Sequence, residues 1–294
     1  MAFSRAEQRG FPFLKAQPVE VGDAAYPAQL REMPSPPKSL WVAGRLPAQG
    51  QRLIAIVGAR AASRAGCDRA HGLAADLGVA GTAIVSGGAF GIDAAAHEGA
   101  LASAAPTFAV LGCGTDVVYP DRHTALFARI AASGGLLSEY RPGTKPRAGQ
   151  FPARNRIIAG LVRAVVVVEA ALRSGALITA RLAREYGRIL FAVPGSPGTD
   201  AYLRAGYALP ATSAADIERV LAGGRPLPAP APPAPGPMDP VLDAIALGVD
   251  SPAGLCKRLG IPLPSILAIL AEAELEGFVR RAAGNTYEVI GRVC

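Results

Sequence analysis

The chain of 294 residues is half hydrophobic and only 18% charged, a balance that excludes a mostly disordered protein and allows a sizeable core plus a second, small domain. Lys and Arg outnumber Asp and Glu by 30 to 23, a formal net charge of +7 that favours an anionic partner. The longest apolar stretches, around residues 157–180, are interrupted by Arg163, Glu169 and Arg173, short of the ~20 apolar residues of a membrane span.

In chain order, the opening residues MAFSRAEQRGFPF lack the apolar centre of a signal peptide, so a cytoplasmic protein is expected. Residues 1–45 read as an N-terminal extension packing on the main domain, with a Pro-rich stretch, YPAQLREMPSPPKSLWVAG (26–44), that ends in one strand-like run. From residue 46 to 222 short apolar runs alternate with helical segments. LIAIVG (53–58), TAIVSG (82–87), TFAVLG (107–112), AVVVVE (164–169) and ILFAVPG (189–195) predict strands, and 66–78, 91–103, 121–132 and 175–187 predict helices. Buried strands alternating with helices imply an α/β fold, a doubly wound parallel sheet covered on both faces. Ligands of such folds sit beyond the carboxyl ends of the strands, and the strand ends here are rich in glycine and arginine. GGRPLPAPAPPAPGPM, within 223–238, reads as a Pro/Ala-rich linker. Residues 239–294 predict three helices, and FVRRAAGNTYEVI a hairpin around Gly284-Asn285, together a C-terminal winged-helix domain.

Cys67, Cys113, Cys256 and Cys294 form no CxxC pair, so neither a disulfide framework nor a zinc site is expected. Lysine stands only at 15, 38, 145 and 257, leaving arginine to carry the positive charge. Arginine suits bidentate phosphate contacts and stacking on bases, although a GC-rich genome gives the same bias.

The chemistry concentrates on the rim. In VGARAAS (57–63) Arg60 occupies the position where a dinucleotide fingerprint needs its second glycine, so the pyrophosphate reading fails. Arg60 and Ser63 offer a guanidinium and a hydroxyl to a phosphate instead, the alternative being that Arg60 pairs with a neighbouring carboxylate. In SGGAFGID (86–93), Gly87, Gly88 and Gly91 lead into a helix whose free N–H groups suit an anion. Asp93 is the expected capping partner there, with His97 one turn along at i,i+4. FPARNRIIAG (151–160) places Arg154, Asn155 and Arg156 in the first turn of a helix, where the macrodipole disfavours cations. On a helical wheel Arg154 shares a face with Ile157, Ile158 and Leu161 and points toward the rim, while Arg156 lies opposite. Lys145 and Arg147 precede the turn and Phe151 opens it. Cations beside an aromatic suit single-stranded nucleic acid, charge following the backbone while a base stacks on the ring. The alternative buries Arg154 against Glu169 and Phe151 in the core.

Taken in order, VGARAAS, SGGAFGIDAAAHEGAL, VLGCGTDVVYP, LLSEYRPGT, FPARNRIIAG, VVVEA, RSGALITARLA and FAVPGSPGT resemble the DNA-processing protein A family (DprA, also called Smf), from about Tyr26 to Leu221. The resemblance implies an extended Rossmann-like domain that forms a homodimer, binds single-stranded DNA without hydrolysing it, and helps load RecA recombinase during natural transformation. It carries the family's DNA pocket onto Arg60, Gly87, Gly91, Phe151, Arg154, Asn155 and Arg156. Ser63, Ser86, Lys145 and Arg147 complete the candidate DNA-binding set, and no cofactor or metal is expected. Phe90 stands where many relatives have a basic residue or tyrosine. Ala148-Gly149-Gln150 occupies the place where relatives put a cation before the Phe-Pro pair, leaving Lys145 or Arg147 to substitute.

Two other readings compete. PGSPGTDAY (194–202) superficially resembles the PGGxGTxxE loop of nucleoside-monophosphate phosphoribohydrolases, but Tyr202 stands near the position of the catalytic Glu, removing the carboxylate that glycosidic cleavage needs. A sequence-specific regulator would present Arg, Lys, Asn or Gln from its reading helix. The candidate helix, LPSILAILAEAELEG, is apolar and acidic, which suits a protein-interaction module better.

Overall fold

The computed structural model describes residues 16–172, 174–226, 239–246, 248–275, 278–282 and 284–289. The chain divides into two compact units, Met1–Pro230 and Ala231–Cys294.

The first unit runs β1 (Gln17–Glu20), α1 (Ala28–Arg31), β2 (Ser39–Gly44), β3 (Leu53–Val57), α2 (Arg64–Val79), β4 (Ala83–Ser86), α3 (Ile92–Ala102) and β5 (Thr107–Leu111). It continues with α4 (Thr124–Ser133), β6 (Gly135–Ser138), α5 (Gln150–Leu161), β7 (Ala164–Val167), α6 (Gly175–Glu185), β8 (Ile189–Ala192), α7 (Pro197–Arg204), β9 (Leu209–Pro210) and α8 (Ala214–Leu221). The strands form one nine-stranded sheet in the order β1-β2-β6-β5-β4-β3-β7-β8-β9. Every pairing from β6 to β9 is parallel. The alternation of apolar runs and helical segments is therefore a doubly wound sheet, as expected.

Side-chain alternation along the strands explains why both faces are covered. On β3, Leu53, Ala55 and Val57 enter one core with Ile157, Ile158 and Leu161 of α5 and Ala176 and Ala180 of α6. Ile54 and Ile56 enter the other, with Leu73 and Leu77 of α2, Ile92 of α3 and Ile217 of α8. All five β3 residues are buried, the pattern of a strand sandwiched between helix layers.

The N-terminal segment differs from the expectation of an extension packed on the domain. Residues 17–44 supply two strands of the sheet itself, because β2 pairs antiparallel with β6, Trp41 opposite Ser138. Tyr26 anchors the intervening turn by donating its hydroxyl to the Pro37 carbonyl at 2.8 Å. Residues 1–15 of that extension lie outside the described residues, as does 227–238 of the expected linker.

The second unit comprises α9 (Asp239–Ala246), α10 (Pro252–Leu259), α11 (Leu263–Leu275) and an antiparallel hairpin of β10 (Val279–Ala282) and β11 (Thr286–Val289). Val241, Leu255, Ile266, Leu270, Val279 and Tyr287 share its core. Ser251 caps α10 by accepting from the Gly254 N–H at 3.3 Å, Pro252 occupies the first turn, and Gly260 in the left-handed region ends the helix. Three helices and a hairpin are the winged helix expected from the sequence. No single helix among the described residues is long and apolar enough to cross a membrane.

Asp93 and His97 do not form the expected i,i+4 contact. His97 is fully buried, its Nδ1 lies 2.7 Å from Thr107 Oγ1, and its Nε2 has no partner among the described residues. Thr107 donates its hydroxyl to the Ile84 carbonyl, so it accepts from Nδ1–H and assigns the neutral tautomer. Burial, reinforced by His123 and Arg154, lowers the His97 pKa from 6.5 to about 3. The ring is therefore held neutral in the fold but protonates in the unfolded chain. Its contribution to stability is complete above pH 6.5 and is lost as pH falls toward 3. Urea unfolding at pH 7 and pH 5 should show wild type losing about 2 kcal/mol more than His97→Gln over that interval; equal losses would mean that His97 protonates freely in the folded protein.

Candidate nucleic-acid interface

The strand order reverses between β3 and β7. The chain steps from β3 through β4 and β5 to β6 in one direction, then returns through α5 to lay β7 on the other side of β3. Such a switch point opens a crevice at the carboxyl ends of the strands. A cavity of about 500 Å³ occupies it, walled by the loop after β3 (Gly58 to Arg60), the first turns of α5 and α6, Tyr119 and the Pro146–Ala148 segment.

At the back of this cavity lies Arg154, only 4% exposed. Its Nη1 donates to the Gly87 carbonyl at 2.7 Å and to the Val110 carbonyl, and its Nε donates to Asn155 Oδ1 at 3.2 Å. Asp93 supplies the counter-charge across Gly87 without direct ion-pair contact. A Cβ at position 87 would stand 2.6 Å from both the Arg154 guanidinium and the Asp93 carboxylate, so only glycine leaves room for the two charges. Burial lowers the Arg154 pKa to about 10, partly offset by Asp93, and it raises that of Asp93 against the pull of Arg154 and of the Ala89 amide. Arg154 is thus the buried cation of the site's floor. It does not pair with Glu169, whose carboxylate instead accepts the Ser63 hydroxyl at 2.6 Å and the Ser63 N–H at 3.0 Å.

The rim is built differently. Arg60 is exposed, makes no ion pair among the described residues, and lies over the Phe151 ring at 5.1 Å from its centroid. Tyr119, 43% exposed, meets the same ring at 5.2 Å with a 37° tilt. Two aromatic faces and a guanidinium therefore stand together at the mouth. Arg147 joins the lining from the loop before α5, and Lys145 is exposed two residues earlier.

Helix ends divide the electrostatic work. The N–H groups of Gly87 and Ala89, before α3, donate to Asp93 at 3.1 and 3.4 Å, so the anion expected there is the protein's own carboxylate. The N-terminus of α6 remains open. Among the described residues no side chain caps it and the buried Ser174 hydroxyl has no partner, and Ser174 to Ala176 line the cavity. This end can receive a phosphate.

A sequence model of the family described as DNA recombination-mediator protein A matches residues 17–221, and one for the DprA winged helix domain matches 225–285. The chain belongs to the DNA recombination-mediator protein A family. It is 50% identical over 179 residues to Protein Smf of Synechocystis, covering 60% of this chain and 45% of that protein. It is 44% identical over 188 residues to the DNA processing protein DprA of Streptococcus pneumoniae, covering 63% of this chain and 65% of that protein. The crystal structure of the latter superposes with a TM-score of 0.66 at 40% identity, covering 72% of this chain and 75% of that one. DNA processing protein A of Helicobacter pylori, whose structure addresses its single-stranded DNA binding mode, superposes with a TM-score of 0.64 at 30% identity, covering 72% of this chain and 97% of that one. The match covers 45% and 51% of the Synechocystis and Mycobacterium tuberculosis relatives, so the chain spans about half the length of these curated proteins.

Within this DprA/Smf fold, Arg60, Arg147, Phe151, Arg154 and Asn155 converge on one cavity, while six candidates do not line it: Gly87 lies behind Arg154, whose guanidinium its carbonyl accepts, Lys145 is exposed two residues before Arg147, and the other four stand elsewhere. Ser63 caps α2, accepting from the Gly66 N–H at 3.0 Å while donating to Glu169, so its hydroxyl is committed. Ser86 is fully buried and donates to the Ile56 carbonyl at 2.6 Å. Gly91, at φ +74°, abuts the Ala59 and Arg60 carbonyls and supports the loop rather than lining the cavity. Arg156 faces away, donating to the Ser35 carbonyl at 2.6 Å and pairing with Glu139. Phe90, 43% exposed, packs edge-on against His123. Tyr119 and Ser174 were missed. Their signal lay in LGCGTDVVYP and RSGALITA, both strand-end segments, but neither carries a charge pattern of its own.

Removing the buried guanidinium leaves Asp93 without its counter-charge, so Arg154→Met should cost about 3–5 kcal/mol in urea unfolding. Arg60→Ala, at the exposed rim, should change stability by no more than about 0.5 kcal/mol. Equal effects would mean that Arg154 is not the buried support of the cavity.

Proposed function

We propose that the protein binds single-stranded DNA in the cavity at the β3/β7 switch point, as a cytoplasmic homodimer that protects incoming DNA and helps load RecA recombinase in natural transformation and recombination. The observation that carries this reading is the cluster of Arg60, Phe151 and Tyr119 at the mouth. Bases stack on aromatic faces whatever their identity, and cations follow the backbone. Arg147, Lys145 and the uncapped α6 N-terminus supply further anion contacts around that platform. The single-strand binding of the Helicobacter pylori relative supports the same use of the fold.

Binding without catalysis fits the chemistry of the wall. Asp93 is the lone carboxylate among the residues lining the cavity, and it is buried and committed to Arg154 and two loop amides, so no free carboxylate stands ready as a general acid or base. The segment resembling a phosphoribohydrolase loop, 194–202, lies outside this lining, and Tyr202 is buried. In the winged-helix unit, Leu263 and Leu267 stand exposed one turn apart on α11. That stripe supports a protein-contacting role for this unit rather than base readout.

Binding of a fluorescent single strand and of a duplex of the same sequence, followed against salt, tests the proposal. Wild type should prefer the single strand. Arg60→Ala should reduce the slope of log K against log salt by roughly 0.7, one phosphate contact. Phe151→Ala should weaken binding by about 1–3 kcal/mol with little change in slope. Equal affinity for duplex, untouched by either variant, would redirect the cavity to small nucleotides.

A further inference from the structure

The carboxyl rim carries a second cavity, of about 330 Å³, at the mouth of β2 and β6. Trp41, the chain's single tryptophan, lines it half-buried from β2, beside Lys38, Arg141 and Arg156. Arg156 is engaged by Glu139 and the Ser35 carbonyl, and the nearby Glu20 carboxylate accepts the Ser39 hydroxyl at 2.9 Å. Lys38 and Arg141 are exposed, and their side chains have no partner among the described residues. An aromatic ring sharing a cavity with two uncommitted cations repeats the chemistry of the first cavity.

The two cavities are joined by one basic segment. Arg141 lines the second, Arg147 lines the first, and Lys145 is exposed between them. Both open at the same edge of the sheet. Three strand steps separate β6 from β3. That is about 14 Å, a length over which one strand of a duplex carries about four phosphates.

We propose that the second cavity holds the continuation of the same single strand, with a base stacked on Trp41 and adjacent phosphates on Lys38 and Arg141. This inference rests on single-strand binding at the first cavity and extends its path toward the β1 edge. Because Trp41 is the sole tryptophan, its emission reports directly on occupation of this site.

The test titrates the full chain with deoxythymidine oligomers of about 4 to about 16 nucleotides, following Trp41 fluorescence and, separately, the anisotropy of a labelled strand. The longer strands should quench Trp41, whereas the shortest should bind with little quenching. Trp41→Ala should weaken the longer strands by roughly tenfold, and Trp41→Phe should restore most of that loss. The double variant Lys38→Ala, Arg141→Ala should lower the salt slope by roughly 1.4 for the longer strands, two phosphate contacts, and leave the shortest unaffected. If strands of every length bind and respond to Arg60→Ala, while Trp41 emission and the double variant show no effect, the second cavity is excluded and the first retained. If no single strand binds, both assignments fall together.

Discussion

The cavity depends on one buried cation. Arg154 sits on the second turn of a helix with its guanidinium withdrawn from water, and that placement demands compensation from chain segments far away in sequence. It comes from the carbonyl of Gly87, after β4, from the carbonyl of Val110, in β5, and from the charge of Asp93 in α3. The loop after β4, strand β5 and helix α3 are thereby fastened to α5 at the point where the strand order reverses. The same fastening sets the neighbouring ring, since Phe151 enters α5 one turn earlier and lies against Gly112, where a Cβ would stand 2.9 Å from the ring. The aromatic platform at the mouth is thus held by a charge at the back.

Compensating a charge inside the wall frees the charges outside it. Had Asp93 been unavailable, the loop amides before α3 would have been open to an external anion, and Arg154 would have drawn one in. Instead the interior is closed electrostatically, and the remaining cations stand where solvent and ligand reach them. Arg60 over Phe151 gains from the ring's quadrupole without being neutralised, so it keeps its charge available for a phosphate. The uncapped α6 adds partial positive charge on the opposite wall. Buried charge organises this site, and exposed charge stands at its mouth.

Glutamates elsewhere on the rim are similarly committed. Glu169 holds the first turn of α2 through Ser63, and Glu139 is taken up by Arg156. Both of these carboxylates, which would otherwise repel a polyanion, are matched to partners within the fold. Arg141, Lys145 and Arg147, like Arg60, are exposed and make no ion pair among the described residues.

Much of this was legible in the sequence. The apolar runs ending in glycine and the helical segments between them determined the doubly wound sheet, because strand and helix periodicities are local properties of the chain. The motif order determined the family, and the spacing of Arg154, Ile157, Ile158 and Leu161 placed that arginine on the inward face. What the sequence left open was which charge meets which. The alternatives for Arg154 were the rim or Glu169, yet its partners lie 67 and 44 residues away, in segments that only the folded sheet brings beneath α5. The same holds for Tyr119 beside Phe151, for Ser63 on Glu169, and for the pairing of Trp41 with Ser138 that turned an N-terminal extension into two strands. Periodicity specifies the face a residue presents; the atom that it meets there is decided by how the elements cross, and that is a property of the tertiary structure alone.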